Sequence, residues 1–240
     1  RVAGEITEDG GQVDTVSCDI RDEERVKATV AEIFEKHGRI HGLVNNAGGQ
    51  YPSPLVAINQ KGFETVVRTN LVGGFMMARE VFSQSMSRHG GAIVNITADH
   101  LRGMPGMGHS GAARAGMENF TMTSAFEWAM CGVRVNAVAP GWIASSGMDT
   151  YEGPIKMLIP KLKNAVPLKR MGTESEVSGA ICFLLSEAAA FITGSTIRID
   201  GGAPLGNMAV WPLDAKAQNV QTYNGFHRAT TPKILEASEG

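Results

Sequence analysis

Leu43-Val44-Asn45-Asn46-Ala47-Gly48-Gly49 decides the architecture of this chain. Two apolar residues run directly into paired asparagines and then into glycines. A strand that stays apolar on both faces belongs in a parallel sheet with helices covering each side. Its carboxyl end is where open α/β sheets bind their ligands. The glycines let the backbone turn and come close to a flat or charged group. The asparagines can hold that turn and hydrogen-bond a ligand.

Working outward, the pattern repeats. Residues 12–18 alternate with β-branched side chains, which predicts a strand. Residues 22–37 carry Val26, Val30, Ile33 and Phe34 at helical spacing and stop at Gly38. A strand is expected over 40–46 and a long helix over 61–88, closed by Gly90-Gly91. A third strand over 92–97 leads into a glycine-rich loop. A helix over 109–130 and a strand over 133–138 follow, the strand ending at Pro140-Gly141. Residues 142–172 read as a partly helical excursion. Thr173 is the expected N-cap of a helix over 174–189, and a last strand over 195–199 ends in Asp200-Gly201-Gly202. Strands that alternate with long helices make a doubly wound α/β parallel sheet. Residues 1–202 read as one domain and 203–240 as an extended C-terminal segment, suited to wrapping a neighbour.

Composition excludes several classes. The 240 residues are 43% hydrophobic, and the formal net charge is -2. No stretch approaches the roughly 20 apolar residues of a spanning helix, so no membrane span is expected. The charge gives no electrostatic case for nucleic acid. Cys18, Cys131 and Cys182 are scattered beside apolar elements, as reduced thiols in a cytoplasmic protein would be. No Cys or His pair has metal-ligand spacing.

Taken in order, these pieces resemble the short-chain dehydrogenase/reductase family. Cys18-Asp19-Ile20 is similar to its adenine-contacting strand end, and Asn45-Asn46-Ala47-Gly48 to its central sheet-edge motif. Thr69-Asn70-Leu71 resembles the segment carrying the asparagine of its catalytic tetrad. Pro140-Gly141-Trp142-Ile143-Ala144-Ser145 resembles the loop that grips nicotinamide. The resemblance implies a Rossmann-like fold, a nicotinamide cofactor (NADP, with NAD as the alternative) and a small-molecule substrate. It assigns cofactor contact to Asp19, Ile20, Asn46, Ala47, Gly48, Arg114, Pro140, Gly141, Trp142, Ile143 and Ser145. It also implies a homotetramer, assembled through the 61–88 helix and the helix carrying Ala112, Ala113, Ala115 and Gly116.

Two departures stand out. The family's opening strand-helix-strand, with its Gly-rich diphosphate turn, is missing, so the sequence reads as truncated at the N-terminus and weak dinucleotide affinity is expected. The catalytic trio is also altered: Ala98 stands at the family's serine, Ser110 at its tyrosine and Arg114 at its lysine. Arg114 can still grip ribose hydroxyls or diphosphate, but it does not relay a proton. The stretch from His109 to Gly116, with Gly48-Gly49-Gln50, resembles the family's trans-2-enoyl-CoA reductase subgroup, known from peroxisomes, which reduces an unsaturated acyl thioester with NADPH. Hydride addition to an enoyl β-carbon leaves an enolate oxygen that needs hydrogen-bond donors more than a strong acid. Asn70, Ser110, Arg114 and Thr97 are therefore the expected catalytic group. Carbonyl or alcohol chemistry of the same family, and a non-catalytic scaffold, are the alternatives. Tyr51, His100, His109 and Asp99 are lesser candidates as proton donor. Met104, Met107, Met148 and Met157 suit an adaptable acyl pocket.

Overall fold

The computed structural model describes residues 1–208, 211, 213 and 219–236. Helix α1 (Val2–Glu8) precedes α2 (Glu23–His37). The Asp22 carboxylate accepts from the Arg25 N–H at the start of α2, and Gly38 ends it at φ 72°. Strand β1 (Gly42–Asn45) leads to a helical ribbon built of α3 (Gln60–Val67), a π turn (Arg68–Gly73), α4 (Gly74–Val81), a second π turn (Phe82–Met86) and α5 (Ser87–His89). Then come β2 (Gly91–Ile96), α6 (Gly108–Trp128) and β3 (Val133–Pro140). The excursion carries β4 (Ile143–Ala144) and α7 (Pro154–Leu158), and it returns at β5 (Gly172–Thr173), which pairs with β4. α8 (Glu174–Leu185) and β6 (Thr196–Ile199) complete the domain, and α9 (Lys233–Glu236) lies in the tail.

The main sheet has the order β1-β2-β3-β6, and every pair is parallel. It is the expected Rossmann-like α/β sheet. Strand β2 shows why both faces must be apolar. Ile93 packs into a cluster with Val30, Val81 and Met86, while Val94 packs against Val138 and Leu184 on the other side. Thr173 caps α8 with a reciprocal bond from Glu176. A polar chain through the core is satisfied: Asn45 donates to Asn95 at 2.8 Å, and Asn95 donates to the Thr121 hydroxyl at 2.9 Å.

One expectation is corrected. Residues 12–18 form no strand, because among the described residues no ladder partner lies beside them. Val16 is left 42% exposed. Alternation prepares a segment for a sheet, but only a neighbour satisfies its N–H and C=O groups. The described part of the tail folds back on its own chain. The Arg228 guanidinium pairs with Glu8 and Asp9. The Asp149 carboxylate accepts from the Lys233 and Ile234 N–H groups, and Ile234 and Leu235 pack behind the excursion on Met148, Ile159 and Met171. No helix among the described residues is long and apolar enough to cross a membrane.

Candidate active site

A cleft of about 1230 Å³ opens at the carboxyl ends of β1, β2 and β3. Asn46, Gly48, Gly49 and Gln50 line one wall, Thr97 and Ala98 the floor, and Pro140, Gly141, Trp142, Ile143 and Ser145 the opposite wall, with Arg114 reaching in from α6. Ile155, Ile159 and Leu162 of the excursion roof it with apolar surface. The structure thus brings the Asn46 edge, the Pro140 loop and Arg114 around one space.

The turn after β1 is held from outside the sheet. The Asn70 amide donates to the Gly49 carbonyl at 3.0 Å, and its oxygen accepts from the Gly49 N–H at 2.8 Å. Asn70 sits in the first π turn and is 2% exposed. Its amide is therefore a clamp on the Gly49 peptide. Gly48 passes so close that an added Cβ would stand 2.8 Å from Asn70 Oδ1 and 2.9 Å from Arg114 Nη2. On the far wall, a Cβ at Gly141 would stand 2.8 Å from the Asp200 Cα, so this residue lets the β3 and β6 ends close together.

Arg114 is a half-buried cation. Its Nη1 donates to the Ile96 carbonyl at 2.6 Å, and its Nε is enclosed without a partner. Burial lowers its pKa from the ordinary arginine value. A guanidinium remains protonated in proteins, and no carboxylate pairs with it among the described residues. It is poised for an anionic or hydroxyl-rich ligand in the cleft.

The Ser110 side chain is fully buried and does not line the cleft; its hydroxyl donates to Gln50 Oε1 at 2.5 Å. That corrects the picture of Ser110 as a direct donor to substrate. The Thr97 hydroxyl donates to the Val138 carbonyl at 3.0 Å, so its proton is also engaged. Ala47 and Asn70 stand behind the lining residues. Asp19 and Ile20 do not line the cleft. Asp19 is gripped by Arg21, whose hydrogen bonds lower its pKa to about 2, and Ile20 packs over Gly73. Of the methionines, Met107 and Met148 line the cleft, whereas Met104 packs on Gly111 and Met157 is 70% exposed.

Of the lesser candidates, Tyr51 borders the cleft, whereas His100, His109 and Asp99 do not line it. His109 is fully buried, edge-on to the Tyr51 ring, and its Nδ1 accepts from the Ser110 N–H at 2.8 Å. The Tyr51 hydroxyl lies over Gly62 in α3. His100 stands 3.0 Å from Glu118. Gln50, to which the sequence assigned no role, reaches the cleft from this cluster beside Tyr51. Its signal was its place directly after the sheet-edge glycines.

The family profile described as enoyl-(acyl carrier protein) reductase matches residues 1–204. The chain belongs to the short-chain dehydrogenase/reductase family. Among family members, it is 36% identical over 191 residues to peroxisomal 2,4-dienoyl-CoA reductase of Danio rerio, covering 78% of this chain and 63% of that protein. It is 33% identical over 202 residues to 3-oxoacyl-(acyl-carrier-protein) reductase of Staphylococcus epidermidis, covering 84% of this chain and 82% of that protein. Among solved structures it matches a citronellol catabolism dehydrogenase of Pseudomonas aeruginosa PAO1 at 64% identity and a TM-score of 0.75, covering 85% of this chain and 78% of that one.

Short-chain dehydrogenase/reductase chemistry requires a nicotinamide cofactor, and the residues present fit its reactive end. The enclosed, unpartnered Arg114 Nε and the backbone approach at Gly48, which a Cβ would block, make a cradle for a ribose or phosphate group. Asn46 and the Pro140–Ser145 wall flank it. A Gly-rich diphosphate turn is not among these residues.

Proposed function

We propose that this protein reduces an α,β-unsaturated acyl thioester, with NADPH as preferred reductant and NADH as the alternative. One observation carries the reading. Where the family places a tyrosine phenol, this chain has a buried serine bonded to an amide. The side chain at that point is a neutral hydrogen-bond donor, not a phenol matched to an alkoxide, and the Tyr51 hydroxyl at the cleft edge is turned onto Gly62 of α3. Bound nicotinamide supplies the hydride. As the β-carbon gains that electron pair, the alkene π pair moves onto the α-carbon and the carbonyl oxygen, giving a thioester enolate. The α-carbon then takes a proton from water. The chain's own residues hold the reactants. Arg114 grips the ribose or phosphate region, Asn70 fixes the turn that bounds the reacting centre, and the Ile155, Ile159 and Leu162 roof covers the acyl tail, leaving the reacting carbons within reach of water. The dienoyl-CoA reductase likeness and the matched family description support the same class.

The apolar roof and the 64% identical neighbour named for citronellol catabolism support a branched, isoprenoid-type tail. That neighbour's description as a dehydrogenase favours a second reading, alcohol or 3-oxoacyl chemistry with a surrogate acid. Initial rates of NADPH oxidation separate the two: the reading expects turnover with branched trans-2-enoyl thioesters well above that with matched 3-oxoacyl thioesters. The reverse order, or NADP reduction by the parent alcohol alone, rejects it. Exposed Phe75, Met122 and Phe126 on α4 and α6 support a homotetramer, and the three unpaired cysteines support a cytoplasmic location.

A further inference from the structure

We infer that Gln50 is a catalytic residue: its side-chain NH2 hydrogen-bonds the thioester carbonyl and holds the negative charge that develops there, with Ser110 as its positioning residue. This rests on the enoyl-thioester reading and assigns a donor within it. The argument starts from protons. Gln50 Oε1 and Ser110 Oγ stand 2.5 Å apart. Both are oxygens, and the serine hydroxyl owns the only hydrogen between them, so Ser110 donates and Gln50 accepts. The amide is thereby fixed with Oε1 turned inward and Nε2 outward. Gln50 lines the cleft, and its NH2 makes no protein hydrogen bond among the described residues. Two donors thus face the space where substrate must lie.

The anchor is rigid on both sides. Ser110 is fully buried in the first turn of α6, where the imidazole of His109 also accepts its N–H. The preceding peptide, Gly49, is clamped by Asn70 through two bonds. A donor held in place before charge develops needs no reorganisation when it does, which is the condition for large transition-state stabilisation. Other polar groups on the floor do not compete, since the Thr97 hydroxyl is engaged with Val138.

The test uses a conjugated dienoyl- or cinnamoyl-CoA, whose absorption moves to longer wavelength when its carbonyl is hydrogen-bonded, so that binding reads out carbonyl polarisation without hydride transfer. The unmodified protein is expected to shift the spectrum. Gln50→Leu should bind the ligand without the shift and lose roughly 10²–10³-fold in kcat for enoyl reduction, the usual cost of removing one such donor. Ser110→Ala frees the amide to rotate and should weaken the shift and kcat with little change in KM. Gln50→Glu replaces donors by a carboxylate at neutral pH. Its activity should climb on acidification as the acid regains a proton to donate, while the unmodified protein shows no such climb. A shift retained in Gln50→Leu, or a Gln50→Glu variant without the acid-side recovery, overturns the inference and leaves the enoyl reading standing. No shift in the unmodified protein, together with no enoyl-dependent NADPH oxidation, overturns the enoyl reading and the inference with it.

Discussion

Val44 and Val94 are register partners in one parallel ladder, yet Val44 is 38% exposed and Val94 is 0% exposed. The residue type is the same, and so is the backbone conformation. The difference is the neighbourhood. Strand β2 lies between β1 and β3 with helices on both faces, whereas one edge of β1 has no ladder partner among the described residues. The half of the site that follows β3 is therefore seated in a closed core. The half that follows β1 depends on clamps from elsewhere: Asn70 from the helical ribbon and Ser110 from α6. Rigidity at a sheet edge need not come from the sheet.

That comparison can be broken or sharpened. The largest effect is expected at the clamp. Asn70→Ala removes both bonds to the Gly49 peptide and should lower kcat about a hundredfold or more, with a stability loss of about 1–3 kcal/mol measured by denaturant unfolding. Near-normal turnover would mean that the β1 turn is rigid without the ribbon. Gly48→Ala comes next: its Cβ forces Asn70 Oδ1 or Arg114 Nη2 to move, and a tenfold or greater rise in the KM for NADPH is the expected readout. The two valines provide the direct comparison. Val94→Ala should destabilise by about 2–3 kcal/mol from lost burial plus a cavity, and Val44→Ala by under about 1 kcal/mol. Equal losses would show that the β1 edge is covered in solution.

The smallest effect lies on the closed side. Burial raises the Glu176 pKa, but the Arg170 guanidinium and the Thr173 and Tyr223 N–H groups outweigh it, leaving the carboxyl below its ordinary value of 4.5. A group lowered on folding contributes stability above its unfolded pKa and loses it as pH falls through the folded one. The unfolding midpoint should thus decline below about pH 4.5, and the decline should be shallower in Glu176→Gln.

Much of this was legible in the residues. The cleft walls stand where glycines and asparagines end apolar strands, so position along the chain already placed them at one sheet edge. Asp22, Gly38 and Thr173 marked helix ends because caps act locally. The illegible parts all depend on what lies across space. Residues 12–18 have strand chemistry but no adjoining ladder. Ser110 aligned with a tyrosine position, yet which way its side chain turns is set by how α6 seats on the β1 turn. Thr97 looked available until the Val138 carbonyl lay beside it. The local sign of the π turn that aims Asn70 at Gly49 was the Gly73-Gly74 pair at its end, which does not by itself say where Asn70 points.

The guanidinium of Arg114 carries one last implication. A lysine in its place would shed its charge in strongly alkaline buffer. Arginine keeps its own there, even with burial lowering its affinity for the proton. The pocket's hold on phosphate-bearing ligands should accordingly persist into carbonate-buffered solution, giving a retention curve with no alkaline limb.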